Sequence, residues 1–220
     1  DYSFLGFKKK AKTGSEIIAQ INVDNSQISS IPQFSLSKPD FKLNGEVSFD
    51  NNGNIKVIDI KNIKGTKTNA KAKIDFSNQK NDAIKIIVSG STYDLSDLFA
   101  RDEDDIEENR KLRASLKDTP KKENEEENIW ENTPSTNINI AVDKLWTNDK
   151  VSIRNFAGSA KILNKTGIEE MHIVGNFKPN KNTPDNKLYL KLDYIPRPNN
   201  EYLLDVESND AGKTLRFLRL

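Results

Sequence analysis

Apolar and polar residues alternate with a period of two along most of this 220-residue chain, and that pattern leaves it few architectures. Ile17, Ala19, Ile21 and Val23 fall on one side of an extended backbone. Phe41, Leu43, Gly45, Val47 and Phe49 do the same. So do Ala70, Ala72, Ile74 and Phe76, with Lys71, Lys73 and Asp75 between them. The second half continues with Ile138, Ile140 and Val142, then Val151 and Ile153, then Met171, Ile173, Gly175 and Phe177. Leu188, Leu190, Leu192 and Tyr194 come next, and Tyr202, Leu204 and Val206 close the series. Successive side chains of a strand point to opposite faces, so each run presents one apolar and one polar face. The gaps carry turn residues: Asn51-Asn52-Gly53-Asn54, residues 78–82, Asn164-Lys165-Thr166-Gly167 and residues 180–186. Short connections of this kind join antiparallel neighbours. The expected class is all-β: an elongated, curled antiparallel sheet with one apolar face.

A two-part ending occurs twice. Residues 83–99 read AIKIIVSGSTYDLSDLF, and residues 201–218 read EYLLDVESNDAGKTLRFL. In each, an alternating strand meets a small polar break, an aspartate (Asp94 or Asp210) and a short stretch closing on Leu98-Phe99 or Phe217-Leu218. The aspartates stand where a strand hands over to a helix, and an N-cap is their expected role. Self-similarity at long spacing points to one building block used twice. The expected organisation is a first β repeat over residues 1–100 and a second over 134–220, each closed by a short helix, near Asp94–Ala100 and Asp210–Leu218.

Between them, residues 101–133 break the pattern. They hold twelve Asp/Glu against seven Lys/Arg and few apolar residues. Such a stretch buries too little to offset its ordering entropy, and it reads as a disordered, dispensable acidic insertion, with a short helix over Ile106–Leu116 at most.

The chemistry of catalysis is sparse. The chain has no cysteine and one histidine, His172, which alternation places on the polar side of its strand. Zinc and copper sites need more His or Cys than this. No nucleophile elbow and no glycine-rich phosphate loop is present. A net charge of +1 and basic residues unaccompanied by same-face aromatics argue against nucleic acid. No catalytic residue, cofactor or metal site is expected. The chain opens on DYSFLGFKKK without a start methionine and reads as a section of a longer protein.

Four segments resemble the AsmA-like family of Gram-negative envelope proteins, of the YhdP and TamB type. Phe4-Leu5-Gly6-Phe7-Lys8-Lys9 is similar to the family's entry segment. Residues 58–66, IDIKNIKGT, resemble its step between strands. Residues 93–99, YDLSDLF, and residues 208–218, SNDAGKTLRFL, resemble its repeat endings, the last being the most specific. The final Phe217-Leu218-Arg219-Leu220 departs from the family's usual Leu-Gly end.

The resemblance implies a periplasmic section of an inner-membrane-anchored protein, with its anchor outside this chain. It implies an open β-groove that conducts phospholipids toward the outer membrane, with no protein partner specified. On that expectation Leu43, Val47, Ala72, Ile74, Ile140, Leu190 and Leu204 line one continuous surface for phospholipid acyl chains. The alternation itself is equally compatible with a closed β-sandwich serving interaction or envelope assembly, in which a second sheet covers the apolar face.

Overall fold

The computed structural model describes residues 14–24, 26–77, 83–96, 134–147, 151–177 and 189–218. Eleven strands form one sheet in strict chain order: β1 (Glu16–Asp24), β2 (Gln27–Lys38), β3 (Phe41–Phe49), β4 (Ile55–Gly65), β5 (Asn69–Asp75), β6 (Ala83–Asp94), β7 (Ser135–Trp146), β8 (Ser152–Leu163), β9 (Gly167–Phe177), β10 (Tyr189–Pro196) and β11 (Tyr202–Ser208). A short helix, α1 (Ala211–Leu218), follows. The sheet does not close, because β1 and β11 pair on one side only. The all-β, single-sheet expectation holds, and no second sheet stacks on the first among the described residues. The two halves join in one hydrogen-bonded sheet.

Antiparallel pairing holds everywhere except at the junction of the halves. There β6 and β7 run parallel, from Ala83 opposite Ser135 to Asp94 opposite Trp146. A parallel pair needs a crossover rather than a tight turn. The residues that make it, and with them the expected acidic insertion at 101–133 and the helix near Asp94–Ala100 beyond Ser96, lie outside the described residues. So do Leu188 and residues 1–13, which carry the family-like entry segment.

Turn chemistry places the reversals where the sequence has them. Between β3 and β4 the Asp50 carboxylate accepts from the backbone N–H of Asn52 at 2.9 Å and of Asn54 at 2.8 Å. Gly53 supplies the left-handed residue of that turn, at φ 80°. The Asn164–Gly167 turn between β8 and β9 takes the same conformation at Lys165 and Gly167.

One face of the sheet is buried and the other is wet. In β3, Phe41, Leu43 and Gly45 are buried while Lys42, Asn44 and Glu46 are exposed. A contiguous buried cluster extends from Phe41 and Leu43 through Ile60, Ile63, Ala72 and Val88 to Leu145, Ile153, Phe177 and Leu190. Burying a Leu or Ile side chain contributes about 1.5–3 kcal/mol, so this face is the main source of stability. The sheet curls about it. Close strand contact accompanies the curl: a Cβ at Gly90 would lie 2.5 Å from Asn69 O and 2.6 Å from Ala70 Cα. Only glycine fits that approach of backbone to backbone.

Four strands carry a shift in the middle of their alternation. Pairing slips between Ile31 and Phe34 in β2, between Ile60 and Ile63 in β4, between Gly90 and Thr92 in β6, and between Arg154 and Ala157 in β8, where Asn155 has φ 48°. Each bulge moves the apolar set from one parity to the other while keeping it on one face.

Candidate functional site

Register converts the alternation into rows that run across the strands. One row crosses all eleven: Ala19, Phe34, Gly45, Ile60, Ala72, Val88, Ile140, Gly158, Ile173, Leu192 and Val206 are successive partners. A second, adjacent row crosses ten, from Ile31 through Val47, Ile58, Ile74, Ile86, Ile138, Ala160, Met171 and Tyr194 to Leu204. Neither row contains a polar side chain other than the phenol of Tyr194. At about 4.8 Å per strand the first row spans about 48 Å.

All seven residues expected to line one surface lie on this face. They are not equally accessible. Leu43, Ala72, Ile74 and Leu190 are buried, Leu190 at 1 % exposure, and Val47 and Ile140 are half-buried. Leu204 is 57 % exposed. The accessible part of the face is therefore at its two ends. On β1, Ile17 is 74 % exposed and Val23 64 %; on β11, Tyr202 and Val206 join Leu204. Tyr202 stacks on Tyr194 with parallel rings 4.9 Å apart. Ile17, Ile21, Val23 and Tyr202 belong with the accessible set by their alternation, although the expected set omits them.

The helix α1 also packs on this face, through Phe217. Its start is built as the sequence suggests. The Asp210 carboxylate accepts from Lys213 N–H at 2.9 Å, a capping hydrogen bond that holds the carboxyl below its usual range. Buried Thr214 donates to Asp210 O at 2.9 Å. At the corresponding place after β6, the Asp94 carboxylate accepts from Ser96 N–H at 2.9 Å, and Leu95 packs on the buried cluster. Beside it Tyr93 is buried, which pushes its hydroxyl up to about 12.

The polar face carries cross-strand charge. His172 Nδ1 lies 2.7 Å from Asp193 Oδ1, and its Nε2 lies 2.7 Å from Glu170 Oε1. Lys191 bridges Asp193 at 2.9 Å and Glu207 at 3.3 Å, which continues the line of charges to β11. On the other half Lys61 contacts Asp59 at 2.6 Å and Glu46 at 3.0 Å. His172 is on the polar face, as alternation places it, but the sequence reading did not give it two carboxylate partners. Glu170 could have been found two residues away on the same strand; Asp193 needs the register of β10. A shallow 350 Å³ depression beside His172 is lined by Ala141, Ala157, Ile87 and Val174 among others.

Hydrogen bonds to Asp193 first, and to Glu170 second, raise the His172 pKa above its ordinary 6.5. Those to His172 and Lys191 lower the Asp193 pKa below 3.8. The sign follows. The histidine contribution is complete below 6.5 and is lost as pH rises through the higher folded value. The aspartate contribution is complete above 3.8 and is lost as pH falls through the lower folded value. The cluster therefore supports the β9–β10 pairing most between about pH 4 and 6.5. His172→Gln should lower the melting temperature more at pH 5.5 than at pH 8.5. The pair is exposed, so the difference is small. Equal losses at both pH values would show that the charge on His172 contributes nothing.

Among the described residues no group of three or more His, Asp or Glu is placed to hold a metal ion. No described helix is long and apolar enough to cross a membrane. Comparison with family models, with curated proteins and with solved structures finds no match.

Proposed function

We propose that this chain is a section of a β-groove that holds phospholipid acyl chains along its apolar face. The observation that supports this is the uninterrupted pair of apolar rows, exposed at β1 and β11 where the face runs to the sheet edges. An acyl chain on such a surface gains about 0.8 kcal/mol per buried methylene. Where the face is accessible, at β1 and β11, a surface without polar steps returns the same gain at neighbouring positions, so local lateral movement there meets no large barrier. Headgroups would ride at the wet rim.

The similarity of the two repeat endings to those of AsmA-like proteins adds the setting. On that reading the section belongs to the periplasmic part of an inner-membrane-anchored bridge toward the outer membrane. The chain's own residues then bind and guide lipid, with no catalytic step.

Native mass spectrometry and lipid extraction of the purified chain test the reading. Phospholipid retained through purification, and displaced by added detergent, is the expected result. A chain that stays lipid-free after expression in a Gram-negative host and after incubation with phospholipid vesicles would overturn it.

A further inference from the structure

We propose that the polar face docks on an anionic lipid surface through a row of cations along one rim of the sheet. The proposal concerns the face opposite the apolar rows and does not rest on the acyl-chain reading.

Register builds this row as it builds the apolar ones. Lys42, Lys64, Asn69, Thr92, Lys144 and Arg154 are successive partners from β3 to β8. Asn176 carries the row on to Tyr189 in β10, and on the other side Ser37 carries it to Glu16 in β1. Lys42, Lys64 and Arg154 are exposed, and Lys144 is half-buried. From β2 to β10 the row holds cations and neutral residues without a carboxylate.

Two of its pairs set like charges directly opposite each other: Lys42 faces Lys64, and Lys144 faces Arg154. Such pairs destabilise a sheet. Elsewhere on the same face the fold relieves that conflict itself. Glu46 faces Asp59, and Lys61 contacts both, at 3.0 and 2.6 Å. Among the described residues no carboxylate does the same for Lys42, Lys64 or Arg154. The carboxylates nearest the row by position are Asp143, beside Lys144 in the chain, and Asp94, opposite Trp146 and accepting from Ser96 N–H. An anion from outside supplies the missing bridge. One phosphate can serve one pair. The two pairs lie about 19 Å apart along the row at about 4.8 Å per strand, so engaging both takes an extended anionic surface.

Aromatic rings favour a bilayer over a soluble polyanion. Trp146 lies two residues beyond Lys144 on the same face, nearer the rim, with Lys144 Nζ 3.7 Å and Lys67 Nζ 4.9 Å from its ring centre. Tyr189, at the far end of the row, is 41 % exposed. Tryptophan and tyrosine beside cations suit a membrane–water interface, where the rings sit at headgroup level and the cations meet phosphates. The sequence reading gave these cations no aromatic on their own face; register gives them two.

Vesicle sedimentation with the full chain tests this. Vesicles of phosphatidylcholine and phosphatidylglycerol in equal parts should bind the chain at low salt, and phosphatidylcholine alone should not. Molar salt should weaken that binding roughly tenfold or more, which reads the attraction without any substitution. Lys42→Gln, Lys64→Gln and Arg154→Gln together should weaken it by a similar factor and melt no lower than the parent, because two facing pairs are relieved. Lys56→Gln, Lys73→Gln and Lys85→Gln remove the same charge away from that rim and should weaken it by less than about threefold. With Trp130→Phe, Trp146 is the remaining tryptophan, and its emission should shift to the blue on binding. Equal binding to both vesicle types, equal loss in the two triple variants, an unmoved Trp146 emission or no binding at low salt would overturn the proposal. So would tighter binding, through the same three cations, to polyglutamate or a single-stranded oligonucleotide than to the anionic vesicles.

Discussion

Deleting residues 101–133 should cost this protein its cooperative fold. Composition marks the segment as dispensable, but the parallel pairing of β6 and β7 makes it the only route back. Ser135 stands opposite Ala83, eleven residue steps from Asp94, a return of about 36 Å at 3.3 Å per residue. The deletion leaves residues 95–100 and Pro134 to cover it. Fully taut, that span reaches about 29 Å at most, before any allowance for turning around two strand ends. The ladder must break or surrender several pairs, exposing Val88, Val142 and Phe156 from the buried cluster. A fall of roughly ten degrees or more in melting temperature, or loss of a cooperative transition, is expected. Replacing the same residues with an equally long Gly/Ser linker should keep the strand signal in circular dichroism, because about 40 flexible residues average some 35 Å end to end. A deletion variant that melts like the parent would contradict the parallel junction.

The second large effect separates the two kinds of position on the apolar face. Leu190→Asp puts a carboxylate where the side chain is 1 % exposed, opposite Gly175 and Ser208. Lost packing and unpaired burial together cost roughly 3–5 kcal/mol or more, a large fraction of the 5–15 kcal/mol that holds a typical domain. The variant should be largely unfolded at room temperature. Leu204→Asp changes a residue of the same face that is more than half exposed, and its cost should stay within about 1 kcal/mol. On the proposed function it is Leu204→Asp, not Leu190→Asp, that reports on lipid. The folded variant should retain less phospholipid than the parent. Thermal melts and lipid extraction on both variants check this. A folded Leu190→Asp would mean the centre of the face is wet, and unchanged lipid content in Leu204→Asp would remove β11 from the lipid surface.

Much of the sheet was legible because a period of two is a local property. Residues from Leu43 to Leu204 share a face in the structure as they do in the alternation. Three strands were hidden by their bulges. In β4 the apolar set is Ile58 and Ile60 before the slip and Ile63 and Gly65 after it, and in β8 it passes from Ile153 to Phe156, Gly158 and Ala160. A parity change halfway reads as loss of pattern although the face is kept. In β2 Pro32 and a run of serines add to the effect. The parallel junction was illegible for a different reason: the direction of β7 relative to β6 is set by forty intervening residues and not by either strand. Depth was illegible too. Leu190 and Leu204 are indistinguishable as letters, and only the curl of the sheet buries the first and leaves the second in water.

The parallel junction also sets the symmetry of the molecule. In an unbroken meander every strand reverses its predecessor, so strands five places apart run in opposite directions and their ends fall on opposite rims. One parallel step cancels one reversal. Here β6 and β11 point the same way, and their endings, with the capping Asp94 and Asp210, emerge on the same rim about 24 Å apart. The five strands β7 to β11 thus repeat β2 to β6 by translation along the sheet rather than by reflection. Both aspartate-capped endings thus mark the same rim, which gives the sheet a polarity across its width.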